Sequence, residues 1–349
     1  MIRGACADGE RGAIAILSVV LMLALIGVGA VAVDLGQVYA ERAQLQNGAD
    51  SAAIAIGQQC YKNQTCTSSY AGAWTTAAQP LVNGNANDNA STIQSVTFPV
   101  VNGLQEVVVT TSTRDGASGA GFLTPLFAKA LNVAPATVGA QATVSLKPPG
   151  NGGGFPLAFS NSCFDLQSGQ KAGNIMQLEW KPGMTCTGPS GTAIPGGWGW
   201  LLQSGPCQAT TTSGGNYIPT DPGNGVNRLT PCQSILQGWI DTINAGGQVN
   251  VIFPVFDQAI AQGAGGQFHI LGYATLRIYG WHFANAGSPY EFHDTVADLT
   301  ALGINPLYAC SAGVDRCVIA QFVRFDTVDP STGTGSGNDL GTTVVTLIK

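Results

Sequence analysis

The run Gly12 to Val33, GAIAILSVVLMLALIGVGAVAV, holds 22 residues without a charge and is bounded by Arg11 and Asp34. At a rise of about 1.5 Å per residue a helix of this length spans about 33 Å, enough for the roughly 30 Å hydrocarbon core of a bilayer. A buried core helix seldom needs so many unbroken apolar residues. A secretory signal peptide, cut after the small-x-small site Ala30-Val31-Ala32, usually has a shorter apolar core of about 7–15 residues. The run therefore reads as a retained transmembrane helix over residues 12–33, preceded by a short segment over residues 1–11.

Composition narrows the partners. Lys, Arg, Asp and Glu make up only 10% of the 349 residues, against about 25% in an average soluble domain. The 14 basic residues are scattered and the net charge is −6, so the clustered Lys and Arg that phosphate backbones require are lacking and nucleic acid is excluded as a partner. An apolar fraction of 45% argues against disorder.

Cysteines give the orientation. Cys6 precedes the apolar run, and Cys60, Cys66, Cys163, Cys186, Cys207, Cys232, Cys310 and Cys317 follow it. An even set on one side fits an oxidising exterior, with the N-terminus cytoplasmic and the C-terminal region extracytoplasmic. Proximity favours Cys60 with Cys66 and Cys310 with Cys317; Cys163, Cys186, Cys207 and Cys232 then pair in one of three ways. No Cys-x2-Cys cluster is present, so zinc is not expected.

Beyond Asp34 the chain lacks Pro to Gly57, and Leu35, Val38, Leu45, Ala49, Ala52 and Ile56 recur at helical spacings, so the helix is expected to continue outward by about six turns. Residues 67–91 are Ser, Thr, Ala and Asn-rich. Asn83 to Asn89 resembles a calcium loop but has neither the turn Gly nor the terminal Glu of an EF-hand, and reads as a surface turn. Two β-branched runs, Ile93 to Val101 and Glu106 to Ser112, flank Asn102-Gly103 and predict a hairpin. Phe122 to Leu131 reads as a short helix with Pro125 in its first turn, and Thr137 to Lys147 as a strand.

Pro148 to Gly154, PPGNGGG, reads as a linker that separates residues 34–147 from residues 155–349. The second region has a predicted helix over Ser234 to Ala245 and strands over Val249 to Phe256, Phe268 to Tyr279, Val318 to Val328 and Thr342 to Ile348. Its Gly, Pro and Ser-rich loops predict a β-rich domain stapled by disulfides.

Signs of catalysis are sparse. His269, His282 and His293 form no metal-ligand spacing; no Gly-x-Ser-x-Gly, Walker A or dinucleotide motif occurs. Asp241, Asp257, Asp294 and Asp298 are a scatter whose separations a sequence does not give. Trp198 and Trp200, in Gly-Gly-Trp-Gly-Trp, could present a sugar or protein-binding surface, although Trp in a loop-rich domain more often anchors the core.

Arg11-Gly12, the apolar run, Val33-Asp34-Leu-Gly36, Tyr39, Arg42 and Leu45-Gln46-Asn-Gly-Ala-Asp50-Ser-Ala-Ala53 resemble the N-terminal domain of TadE/TadG-like proteins of Flp (Tad) pilus assembly. The resemblance covers residues 11–57. It implies an α+β chain made of a long transmembrane and stalk helix, a small pilin-like module over residues 34–147 and the β-rich domain. It also implies a structural or accessory role among pilus-machinery proteins in the membrane; the residue patterns themselves point to no catalytic residue, metal or cofactor. The Asp-x-Ser-x-Ser metal motif carried by some TadG proteins is absent, so ion-dependent adhesion is not implied. The alternatives are an adhesin or glycan-binding protein using Trp198 and Trp200, and a membrane-anchored hydrolase using His269 or His293.

Overall fold

In the computed structural model the apolar run and the stalk form one unbroken helix, α1 (Glu10–Asn63). The structure describes residues 10–114, 116, 119–124, 126–131, 134–164, 166, 173–181, 183–189, 191, 193–214, 217–221, 229–260, 265–310, 316–323, 325–327 and 337–348. Cys6 and the residues around it lie outside this set, as does the side chain of Arg11. The chain forms two compact units, one of Met1–Gly57, Thr65–Val144 and Leu347–Lys349, the other of Gln58–Gln64 and Ser145–Thr346.

In the first unit α1 is followed by α2 (Ala71–Gly84), β1 (Ser91–Thr97), β2 (Val100–Val101), β3 (Leu104–Thr113) and β4, which starts at Gly139 and runs to Lys147. Strand β1 pairs antiparallel with β3, and β3 lies between β1 and β4. Val101 pairs with Leu104 across Asn102-Gly103, both of which have positive φ (52° and 79°). Two left-handed residues are what a type I′ turn needs, and Asn-Gly supplies them at low cost. The stalk half of α1 packs on this sheet: Leu45, Ala49, Ala52, Ala53 and Ile56 are buried, and Leu45 clusters with Val138 and Ala140. The small Ala side chains keep the helix close.

One sequence expectation fails in this unit, and one helix is not anticipated by the sequence. Residues 71–84 form α2, a helix that their Ser, Thr, Ala and Asn-rich composition does not point to; Ala78 and Val82 are its buried face, and Gln79 ties it to β1 by donating to the Ser91 carbonyl (2.9 Å) and accepting from the Ile93 N–H (3.1 Å). Phe122 to Leu131 is not an α-helix: Leu123 bridges Ala136 and only Ala128–Leu131 winds into a 3-10 turn. A ten-residue apolar segment too short to bury a whole face is held here by tertiary contacts instead.

Helices α1 and α2 touch at Gly48, where an added Cβ would lie 3.1 Å from Val82 Cγ1 and 3.3 Å from its Cα. Gly48→Ala is close to neutral, because its tight contact is offset by the helix propensity of Ala, worth up to about 1 kcal/mol over Gly. Gly48→Leu overpacks the contact and is expected to destabilise the first unit by about 1–3 kcal/mol, read as a lowered melting temperature of the full chain in detergent.

The second unit carries β5 (Asn151–Gly154), β6 (Leu157–Ser160), β7 (Ile175–Trp180), β8 (Thr185–Thr187), β9 (Ala193–Pro195), β10 (Trp198–Trp200), β11 (Ala209–Thr212) and β12 (Tyr217–Pro219). After α3 (Gln233–Asn244) come β13 (Val249–Ile260), β14 (Gln267–His282), β15 (Glu291–Phe292), α4 (Val296–Ala301), β16 (Arg316–Val323), β17 (Phe325–Thr327), β18 (Asn338–Asp339) and β19 (Thr342–Leu347). The main sheet has the order β10-β6-β13-β14-β16-β7, with β12, β15 and β18 also on β14. Its spine is the long antiparallel pair β13 and β14. The fold is α+β.

Asn151–Gly154, within the stretch that reads as a linker, is strand β5 and pairs with β11 from Asn151↔Thr212 to Gly154↔Ala209. The Tyr273 ring occupies the space a Cβ of Gly152 would need, and its hydroxyl bonds Thr211 Oγ1 at 3.0 Å. Glycine serves here as room for a neighbouring ring rather than as flexibility. Burial pushes the Tyr273 phenol up to about 12, against the opposing hydrogen bonds of Thr211 and Gly152.

Disulfides join Cys163 to Cys186, Cys207 to Cys232 and Cys310 to Cys317, and Cys60 and Cys66 are also disulfide-bonded. Of the three pairings open to the four central cysteines, the structure holds the one that joins sequence neighbours.

Candidate functional site

The most apolar part of α1 has no cover. Every residue from Ile14 to Val33 is exposed except Ala30, which is half-buried. Among the described residues, an added Cβ at Gly27, Gly29 or Gly36 would meet nothing within 4 Å. A core helix would be buried, so that reading of the apolar run fails. Water does not tolerate a contiguous apolar surface of this size on a soluble monomer; hydrocarbon does.

Several residues that follow the run have a contact in the first unit. Asp34 Oδ1 accepts the backbone N–H of Leu126 (2.9 Å) and Phe127 (3.1 Å), and Oδ2 accepts that of Ala128 (2.6 Å). One carboxylate thus satisfies three successive donors at the start of the 3-10 turn, the service an N-cap performs for a helix, here from a residue far away in sequence. Desolvation pushes the Asp34 carboxyl up, but the bonds from Phe127, Ala128 and Leu126 together outweigh it and hold the group below its ordinary value. A lowered carboxylate pKa adds stability that is present above the ordinary value and lost as pH falls through the lowered one. This clamp is therefore fully made near neutrality and opens only in acid.

Further along, Gln46 Nε2 donates to Asp50 Oδ1 (2.7 Å) and to the Gln141 carbonyl (3.1 Å), tying α1 to β4. Thr111 Oγ1 donates to the Leu45 carbonyl (3.1 Å). Leu45 and Ala53 are buried against the sheet. The motif residues Asp34, Leu45, Gln46, Asp50 and Ala53 thus fasten the stalk to its own module, while Gly36 stays open. Glu41 is the exception to this comfort: desolvation and the nearby Asp88 carboxylate both push its carboxyl up. Asp88 lies in the Asn-rich turn and caps it, accepting from the Ala90 N–H (3.0 Å).

Trp198 and Trp200 do not form a surface. Alternation along β10 places both on one face, which is the core face: they are 3% and 6% exposed. Trp198 Nε1 donates to the Leu178 carbonyl (3.2 Å). The Trp200 ring meets Phe155 at 5.8 Å, Trp198 at 5.9 Å and Phe283 at 5.4 Å between centroids.

Among the described residues the histidines bond to carboxylate, amide and carbonyl groups. His269 Nδ1 lies 2.7 Å from Asp257 Oδ1, where the β13 bulge leaves Asp257 out of register. His293 Nδ1 lies 3.3 Å from the Tyr279 carbonyl. His282 is buried, with Nδ1 2.6 Å from Asp294 Oδ2 and Nε2 2.7 Å from Asn285 Oδ1. His282 pairs across the hairpin with Glu291, and His282, Glu291 and Asp294 have ligand-type atoms within 4.8 Å of one another. These three are the described residues with the composition to hold a metal ion. Their atoms are already engaged, since Glu291 Oε1 also accepts the N–H of Ala286 (2.8 Å) and Gly287 (3.2 Å), and the arrangement clamps the turn between β14 and β15. Asp298 closes the capping box of α4 with Thr295, and Asp241 accepts from Gln237 (2.9 Å). The four acids of the sequence reading are thus occupied locally. The Asp34 clamp and the His282 cluster had no sequence signal, because their members are brought together from segments with no shared spacing.

An α+β chain whose N-terminal helix is uncovered and of membrane-anchoring type is the class that fold and site define. Within it, residues 12–58 match the family model Tad, putative Flp pilus-assembly TadE/G-like, the family that residues 11–57 resemble. The match lies within α1. No curated protein and no solved structure matches the chain.

Proposed function

We propose that the chain is a single-pass membrane protein that serves as a structural or accessory component of Tad (Flp) pilus assembly, with its N-terminus cytoplasmic and the chain beyond the span extracytoplasmic. The observation that carries this reading is the coincidence of the family match with the helix segment that has no apolar cover of its own. The disulfides on the C-terminal side support an oxidising compartment for that side. The role is associative: the span meets lipid and helices of pilus-machinery proteins, and the stalk fixes the folded part to the span.

Gly27 and Gly29 test the association. Because an added Cβ at either position meets nothing within 4 Å among the described residues outside its own helix backbone, a Leu there leaves the fold alone while blocking the close approach that small residues permit between helices in lipid. Gly27→Leu and Gly29→Leu are expected to stay in the membrane and to lose co-purification with pilus-machinery proteins. Unchanged co-purification in both variants contradicts close helix packing at these small residues.

A further inference from the structure

The loop held by Asp34 carries an apolar surface that stays exposed among the described residues. Phe122, Leu126 and Phe127 are 39%, 62% and 49% exposed, and Lys129 beside them is exposed too. Leu126 and Phe127 are the residues whose N–H groups Asp34 binds, so their exposure belongs to a segment pinned at two places. Its base is closed by Leu123 and Ala136, which exchange backbone bonds of 2.8 and 3.1 Å. Its tip is fixed to α1 one residue beyond the end of the apolar span.

The position of that clamp decides what the surface meets. With a rise of about 1.5 Å per residue, Asp34 stands within a few ångströms of the hydrocarbon boundary when residues 12–33 cross the bilayer. Ala30, one turn deeper on the same face as Asp34, is the one residue of Ile14 to Val33 that is half-buried rather than exposed. Bulky apolar side chains at this level gain by entering the boundary between headgroups and acyl chains, and a Lys can bury its stem there while its ammonium stays with the phosphates.

We infer that Phe122, Leu126, Phe127 and Lys129 form an interfacial contact with the same bilayer that α1 spans, docked by the Asp34 carboxylate. The contact rests on the reading of α1 as a membrane span, and makes a second hold on the lipid beside it. It fixes the tilt and rotation of the first unit at the membrane surface, which a lone helix leaves free.

Photolabelling of the full chain reconstituted in phosphatidylethanolamine and phosphatidylglycerol vesicles tests this, using a phospholipid with a diazirine on its acyl chain. Cleavage after arginine and lysine yields peptides 12–42 and 115–129, which report on the span and the loop separately. Label on both is the expected result. Label on 12–42 alone overturns the loop contact and leaves the anchor standing, whereas label on neither overturns the anchor and this contact together. In Asp34→Ala the label on 115–129 is expected to fall several-fold while that on 12–42 is kept; equal labelling of 115–129 in the variant overturns the docking role of Asp34. No other protein is present in the vesicles, so label on the loop reports lipid.

Discussion

Trp200→Ala is expected to lower the stability of the second unit by about 3–5 kcal/mol, the range for truncating a fully packed aromatic side chain. The ring sits among Phe155, Trp198 and Phe283, in a large cluster of buried apolar residues. Its removal leaves a cavity that its neighbours are poorly able to fill, since Trp198 lies on β10 and Phe283 directly follows β14, both strands of the main sheet. Denaturant unfolding followed by tryptophan fluorescence reads the loss as an early midpoint. A variant that unfolds like the parent would return Trp200 to the surface and revive its use as a binding residue.

A larger effect is expected in the membrane. Leu21→Arg combined with Leu25→Arg puts two charges near the middle of the apolar run, both on side chains exposed in the fold. Each exchange costs about 3–4 kcal/mol on the insertion scale, so the pair costs about 6–8 kcal/mol. The doubly substituted chain should leave the carbonate-resistant membrane fraction, while Leu21→Ala with Leu25→Ala should remain in it. Because neither leucine has packing to lose inside the chain, the folded part keeps its melting temperature in detergent. Membrane retention of the arginine variant would contradict a spanning helix.

These expectations rest unequally on sequence and structure. The helix through Gly57 was legible because a long uncharged run and a Pro-free periodic stalk leave few alternatives, and the hairpin because Asn102-Gly103 dictates its turn. Helix α2 was hidden: Thr75, Thr76, Asn83 and Pro80 are poor helix formers, and Gln79 and Val82 hold it in place by contacts no local pattern reveals. Gly150 to Gly154 misled for the opposite reason, since a glycine run looks flexible until the Tyr273 ring that needs the space is known. Trp198 and Trp200 show the same limit, because alternation says that the two share a face but not which one. Of the candidate site, the span and the motif residues could be named in advance; that Asp34 would hold the backbone of Leu126 to Ala128 could not.

The proposed role has the chain anchored by α1 and serving the pilus machinery. It is tested most directly by fractionating cells and blotting for the intact chain, with and without a deletion of that machinery. Full-length protein in the membrane that is lost or degraded when the machinery is missing is the expected result. A shortened chain in the medium, whether or not the machinery is present, would mean that the apolar run is removed as a signal, and would contradict that role.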